Sequence, residues 1–356
     1  MPEQALILTL LLQFGPFQFD VQGYRGGFPT LLYRPETWTK VSNIIFIDTP
    51  IGSGFSYATS KEGLKSSDSM AVKKLVIFLK KNKERAPDFI DEIKRSVQVH
   101  TSGYMNTLSS SQIPFMLVVN HIAAGMTIPT LALEIDISNK ESGEEPLLNL
   151  KGYFAGNPMT DDRFDTAGKI QFFHGMGVIP NELYEIAKEN CRGNYSDPPS
   201  ASCAESMQAI DISDSHQLSY IWANDEAVRE SLAVRKETKG EWKRCDFDIP
   251  YTKDITSTVE HHLSLRKEGY PALIYSGDHD SKFSFVGTQA WIRSFNLSIT
   301  DDWRPWYVDG QVAGFTRSFS SNLTYATVKG AGHTAPEYKS KDCLAMFARW
   351  ISGEPL

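Results

Sequence analysis

A large charge imbalance and long apolar runs are both missing from this 356-residue chain. It carries 36 Lys and Arg against 43 Asp and Glu, a formal net charge of -7, and no basic block. Nucleic acid and anionic membranes are therefore poor candidate partners, because both attract clustered positive charge. No apolar run approaches the roughly 20 residues needed to cross a bilayer, so we predict no membrane span.

Cysteine is also scarce, with four residues in the whole chain. No two of them stand in the tight C-x-x-C spacing of zinc sites, so neither a metal site nor a cofactor is expected. Cys343 lies on the apolar side of a C-terminal helical pattern and is interpreted as a small core residue. The sequence does not indicate an oligomeric state.

Signals for the secretory pathway conflict. The apolar stretch from Ala5 to Leu12 follows an acidic residue and precedes no small-residue cleavage site, so we interpret it as a core segment rather than a signal peptide. Three Asn-x-Ser/Thr sequons, at Asn194, Asn296 and Asn322, instead suggest glycosylation and a secreted or vacuolar protein.

The order of apolar segments predicts an α/β fold. Five continuous apolar runs read as buried strands: 43–47, 115–119, 148–154, 271–276 and 324–328. Helical spacing separates them, as at Val72, Leu75, Val76 and Leu79, and returns in a terminal helix with Leu344, Phe347 and Ile351. We expect one domain, 1–356, with a mainly parallel sheet, helices on both faces and a helical lid inserted at about 166–235.

Two polar side chains follow strands at positions where chemistry occurs in such sheets. Asp280 follows the strand at 271–276, and His333 follows the strand at 324–328. An acid that precedes a histidine matches the order of an α/β-hydrolase triad, in which the carboxylate orients the histidine. A plainer interpretation is that Asp280 ends a turn and His333 caps a helix. Spacing alone leaves both interpretations open.

The sequence around these two residues resembles the serine carboxypeptidase family. Tyr275-Ser276-Gly277-Asp278-His279-Asp280 resembles its acid motif, and Gly330-Ala331-Gly332-His333-Thr334-Ala335-Pro336 its histidine motif. Further segments are similar to the family at 46–57, 152–161 and 306–314. The sequence of these motifs is most similar to the plant serine carboxypeptidase-like acyltransferases. The resemblance implies an α/β-hydrolase fold and a peptide or a small-molecule ester as substrate.

The family's nucleophile is missing from its place. The family pattern Gly-Asp/Glu-Ser-Tyr-x-Gly corresponds here to Asn120-His121-Ile122-Ala123-Ala124-Gly125, which puts Ile122 at the nucleophile position. Isoleucine has no oxygen to deprotonate, so no acyl-enzyme can form there. We therefore expect an inactive or truncated member of the family, with Asp280 and His333 as a vestigial pair.

Other departures accompany this one. The family's Gly-Gly-Pro-Gly turn, which supplies an oxyanion donor, is absent before the match at Phe14-Gly15-Pro16-Phe17, so we expect the first strands to be missing. By resemblance, Cys191 and Cys203 form the lid disulfide, while Cys245 lacks its family partner and is expected to be a free thiol. Such gaps between well-matched blocks suggest a shortened or mis-spliced product.

Two other functions stay open. Ser102, after Val97-Gln98-Val99-His100-Thr101, imitates a strand followed by a reactive turn, and could serve an active acyltransferase or carboxypeptidase. Alternatively, the protein could be a binding module, in which the family's substrate cleft holds a glucose ester or a peptide without reacting with it.

Overall fold

The computed structural model describes residues 14–42, 44, 46–84, 115–120, 122–142, 148–208, 217–232, 234, 240–242 and 250–356. The strands in these ranges are β1 Phe17–Phe19, β2 Leu31–Tyr33, β3 Ser66–Ser67, β4 Phe115–Asn120, β5 Leu150–Gly156, β6 Tyr251–Thr252, β7 Ala272–Gly277, β8 Ile299–Val308, β9 Gln311–Phe319 and β10 Leu323–Val328. The helices are α1 Asp68–Glu84, α2 Ile122–Ser142, α3 Asp162–Gly175, α4 Asn181–Cys191, α5 Ala201–Gln208, α6 Gln217–Asn224, α7 Glu226–Ser231, α8 Val259–Lys267, α9 Phe285–Ser294, α10 Ala335–Tyr338 and α11 Ser340–Ile351. None of these helices is long and apolar enough to cross a membrane.

A six-stranded sheet in the order β4-β5-β7-β10-β9-β8 forms the centre of the fold. The first four strands are parallel, and β9 and β8 extend the sheet antiparallel. Each parallel strand was predicted from a continuous apolar run, and the α/β fold with a largely parallel sheet is confirmed. The antiparallel β8–β9 pair was not predicted. β8 is the outermost strand on its side of the described sheet and carries Pro305 opposite Phe315.

Both faces of the sheet are covered, which explains the continuous apolar runs. Consecutive residues of β5 show the alternation: Tyr153 and Ala155 point into one core cluster, and Phe154 points into the other. The first cluster contains apolar residues of α1, α2, α8 and α9. The second contains residues of α11, including Phe347, and Trp38 from a short 3-10 helix.

One predicted strand differs from the structure. In the described part of 43–47, no residue belongs to a strand. Phe46 nevertheless packs against the α11 side of the sheet and Ile47 against the α1 side. The period-two apolar pattern therefore indicates which face each residue meets, while strand formation also requires a hydrogen-bonded neighbour.

Among the described residues, five helices, α3 to α7, lie between β5 and β6 in the chain. Apolar residues of α3, including Ile170 and Phe173, form a separate small cluster with residues of α4. Cys191 and Cys203 belong to the same cluster. The described residues of this part are largely helical. The helical lid insertion expected at about 166–235 stays a prediction.

Candidate active site

Asp280 and His333 meet at one edge of the sheet. β7 and β10 are parallel neighbours, with Val328 opposite Gly277, so the loops that follow them leave the sheet side by side. His333 Nδ1 lies 2.9 Å from Oδ2 of Asp280. The two residues that the sequence singled out are therefore brought into hydrogen-bonding contact, and their catalytic role stays a prediction.

The Asp280 carboxylate is fully buried and held by four donors. Oδ1 accepts hydrogen bonds from the backbone N–H groups of Lys282 at 2.7 Å and Phe283 at 3.2 Å. Oδ2 accepts from His333 and from the side-chain amide of Asn157. Because both oxygens are engaged on two sides, the carboxylate has one orientation and presents Oδ2 to the imidazole.

Asn157 lies beside this pair, although its sequence pattern predicted only a turn. It directly follows β5, has a left-handed φ of 49° and is fully buried. Its Nδ2 donates to Asp280, its Oδ1 accepts from the N–H of Gly277 at 3.2 Å, and its own N–H donates to Tyr275 O at 2.8 Å. Asparagine tolerates this backbone conformation better than most residues, which is the signal that Gly156-Asn157-Pro158 offered.

The acid loop and the histidine loop are also joined to each other. Asp278 Oδ1 accepts the N–H of Gly330 at 2.6 Å and lies 2.6 Å from His279 Nδ1. The N–H of His279 donates to Ala331 O at 2.9 Å. A Cβ on Gly277 would stand 2.4 Å from that same carbonyl, so only glycine permits this approach. These contacts fix the distance between the acid and the histidine.

His333 is partly open to solvent, with 20% of its side chain exposed. The ring of Phe283 lies 5.5 Å from the imidazole, centroid to centroid. Because Nδ1 faces Asp280, Nε2 is the nitrogen that would take a proton from a nucleophile. The pair therefore has the arrangement of a general base with its orienting acid.

The expected nucleophile position lies on the same edge. β4 runs parallel to β5 with Asn120 opposite Gly156, and α2 begins at Ile122 immediately afterwards. An α/β-hydrolase carries its nucleophile on a strand-to-helix junction, and the assignment of that position to Ile122 stays a prediction. The first turn of α2 packs closely on the loop after β5, since a Cβ on Gly125 would lie 1.8 Å from Met159 O.

Comparison with known proteins agrees with this geometry. A family model described as serine carboxypeptidase matches residues 5–104, 118–220 and 211–353. Serine carboxypeptidase-like 7 of Arabidopsis thaliana is 39% identical over all of this chain and 82% of its own length. Serine carboxypeptidase-like 10 of the same plant is 40% identical over 98% of this chain and 80% of its own.

The chain belongs to the serine carboxypeptidase family. A solved structure, that of the prohormone-processing carboxypeptidase Kex1(delta)p from Saccharomyces cerevisiae, superposes with a TM-score of 0.73. The superposition covers 99% of this chain and 81% of the yeast chain, at 18% sequence identity. At that identity, the likeness shows the fold alone. The family resemblance inferred from the motifs is thereby confirmed.

The segment 46–57, whose sequence also resembles the serine carboxypeptidases, forms a compact loop. Asp48 Oδ2 accepts the N–H of Phe55 at 2.8 Å, and its carbonyl accepts the hydroxyl of Ser56 at 2.6 Å. The peptide bond between Thr49 and Pro50 is cis. Its place beside the reacting centre stays a prediction from the resemblance.

The remaining predicted residues of this family member divide into four groups. Cys191 and Cys203 form a disulfide with a Cα–Cα distance of 5.0 Å, and both are fully buried. Cys343 is a buried free thiol in the α11 core cluster, as expected. The three sequon asparagines are exposed: Asn194, Asn296 and Asn322. Ser102, His121, Cys245 and the segment 5–12 lie outside the described residues. Within the described ranges, no group of three or more His, Cys, Asp or Glu residues could hold a metal ion.

Proposed function

We propose that this chain is a serine carboxypeptidase family member that does not perform serine-type catalysis. The observation that carries the proposal is the identity of the residue at the junction of β4 and α2, where Ile122 begins the helix. An isoleucine cannot become an alkoxide, so the acyl-enzyme step has no acceptor at this position. In a measured serine protease, loss of the nucleophile alone removes about 10⁶-fold in kcat.

The neighbouring residues support the same proposal. Asn120 stands where the family pattern has glycine, His121 where it has an acid, and Ala123 where it has tyrosine. A nucleophile elbow is a sharp, strained turn, and its flanking residues are part of its geometry. The hydrogen-bonded pair of Asp280 and His333 would then have no serine at the family's nucleophile position.

Covalent labelling tests this proposal directly. The unmodified chain should show no adduct with a fluorophosphonate and no turnover of peptide or glucose-ester substrates, while an active serine carboxypeptidase treated in parallel labels stoichiometrically. The variant Ile122→Ser should recover little or no labelling, because it restores an oxygen without restoring the residues around it. Stoichiometric labelling of the unmodified chain would overturn the proposal.

Two outcomes would replace it with another function. An adduct mapped to Ser102 and lost in Ser102→Ala would support an active acyltransferase or carboxypeptidase with a different nucleophile. A rise in Tm with glucose esters or peptides, without turnover, would support a binding module, since a ligand of the native state raises stability by mass action.

We further propose that the chain is a secreted or vacuolar glycoprotein. The exposure of Asn194, Asn296 and Asn322 and the Cys191–Cys203 disulfide support this, because disulfides persist in oxidising compartments. A drop in apparent mass after glycosidase treatment of protein isolated from its source would test it. Unchanged mass, together with Cys191 and Cys203 found as free thiols that alkylate without reductant, would count against it.

A further inference from the structure

A buried carboxyl group lies where α3 meets α9. Asp165, in the first turn of α3, is 5% exposed. Its Oδ2 accepts the backbone N–H groups of Thr160 at 2.8 Å and Asp161 at 3.2 Å, both in the loop after β5. A carboxyl group keeps acceptor capacity when it is protonated, so these two bonds hold it in place in either state. The structure therefore fixes a titratable group in the interior.

α3 and α9 cross in close contact beside this carboxyl group. A Cβ on Gly168 would lie 2.4 Å from the backbone nitrogen of Gly287, and a Cβ on Gly287 would lie 3.4 Å from the Cα of Asp165. The rings of Phe172 and Phe285 meet edge to face at a centroid distance of 6.1 Å. Because Asp165 is buried at this crossing, its carboxyl group would return to bulk water when α3 moves away from α9.

The surroundings of Asp165 disfavour its charged form. Burial, and then the negative charges of Asp162 and Asp161, raise the pKa of Asp165 well above its ordinary value. The two backbone hydrogen bonds act in the opposite direction and are outweighed, because a buried carboxylate loses its hydration. The guanidinium of Arg163 is directed to Asp161 instead, at 3.4 Å, and its side chain is 76% exposed.

The other elements at this joint supply no cation among the described residues. The first turn of α9 is uncharged. α8 begins beside the same loop, where the N–H of Thr258 donates to Thr160 O at 3.0 Å, and its first turn carries Glu260 and His261. Burial lowers the pKa of the His261 imidazole, which favours its neutral form. A charged Asp165 would therefore have no counter-ion in the described part of this joint.

We propose that Asp165 is a proton-sensitive latch, which holds α3 against α9 while it is protonated and releases α3 when the proton is lost. The physical cause is the cost of leaving a carboxylate in the interior without a cation, a cost that opening the crossing removes. Because the closed protein keeps this proton to a higher pH than the open protein does, the contact is strongest below about pH 3.8 and weakens as the pH rises through the pKa of the closed form. The latch does not involve Asp280 or His333 and does not rest on the proposed function.

Hydrogen exchange of α3 at different pH values is the first test. For the peptides that cover 162–175, the ratio of the exchange rate in the unmodified chain to that in Asp165→Asn should rise by up to about tenfold per pH unit from about pH 4, until the pKa of the closed form is passed. The ratio cancels the intrinsic pH dependence of exchange and the effect of other titrating groups such as His262. Asparagine keeps an acceptor oxygen, so a purely structural role would leave the ratio constant.

Glu182→Gln is the matched control for this measurement, because Glu182 is an exposed carboxylate in the first turn of α4. The corresponding ratio for this variant should not change with pH. A ratio for Asp165→Asn that stays constant between about pH 4 and about pH 8 would overturn the proposal.

A carbon-13 NMR titration of the aspartate carboxyl groups gives a second test that needs no variant, in case Asp165→Asn does not fold. In the unmodified chain, the Asp165 carboxyl group should titrate well above the ordinary aspartate range, and the exchange rate of α3 should increase over the same pH interval by more than the intrinsic rate does. Titration at or below the ordinary range would sink the idea, and so would a high titration point with no change in the exchange of α3.

Discussion

Asn157 donates a hydrogen bond to the same carboxylate oxygen of Asp280 that contacts the imidazole of His333. The amide comes from the end of β5, the acid from the loop after β7, and the histidine from the loop after β10. One oxygen atom thus connects three neighbouring strands of the sheet. Asn157 therefore bears on the stability of this edge as well as on the orientation of the acid.

Replacing Asn157 should reveal this connection. We expect Asn157→Gly to lower the free energy of unfolding by about 2 kcal/mol, because it removes one of four donors to a buried carboxylate. Asn157→Ala should cost about 1 kcal/mol more, since alanine at a φ of 49° adds backbone strain. Asn157→Asp should be the most destabilising, because it places a second carboxyl against Asp280. Urea unfolding measures all three. Equal values for Gly, Ala and Asp would show that the contacts do not matter.

Acid should destabilise the protein through His262. Its pKa is well below 6.5 in the folded state, owing to burial and then to the nearby charge of Arg266, and close to 6.5 when unfolded. Below about pH 6.5 the unfolded chain therefore binds a proton that the folded chain does not, and stability falls as the pH falls. His262→Gln should reduce this acid-side slope by up to about 1.4 kcal/mol per pH unit. His174→Gln, at the end of α3, is the control, and an unchanged slope in His262→Gln would contradict the assignment.

Opening the Cys191–Cys203 disulfide should weaken the helical insertion. The bridge spans 12 residues, so its removal should cost about 3 kcal/mol by the chain-entropy argument. Differential scanning calorimetry of the double variant Cys191→Ala/Cys203→Ala should show a lower Tm, and reductant should have the same effect on the unmodified chain. Rapid alkylation of both residues in protein purified without reductant would refute the bridge, since both are fully buried.

Gly125 should tolerate no side chain. An added Cβ would lie 1.8 Å from the carbonyl oxygen of Met159, so Gly125→Ala must displace α2 from the loop after β5. We expect a loss of at least about 3 kcal/mol, or failure to fold. Gly175→Ala is the matched control, because nothing lies within 4 Å of its added Cβ. Similar Tm values for the two variants would show that the first turn of α2 is not closely packed.

The sequence predicted the parallel strands and the acid–histidine pair for one physical reason. Strands buried on both faces are continuously apolar, and reactive groups follow their carboxyl ends, so both features are local in the chain. The role of Asn157 depends on β5 lying next to β7, which is a non-local fact that its turn sequence does not contain.

The β8–β9 pair was missed although a local signal exists. Asp309-Gly310 separates the two strands, and both residues have positive φ, 48° and 74°. A two-residue Asp-Gly turn is a strong hairpin signal because its twist matches that of the strands. The irregular register of β8, which shifts three times along its length, hides the alternation that would have supported it.

That same irregular strand affects how the protein behaves in a crowded solution. An exposed strand edge invites pairing with another chain, which leads to aggregation. Pro305 lacks a backbone N–H, and proline within a sheet is found on edge strands with the missing N–H directed to solvent. Together with Asp301, Asp302 and Arg304, it makes β8 a poor template for a second strand. Concentrated samples should therefore stay free of fibrils at this side of the sheet, while its aromatic residues remain partly exposed.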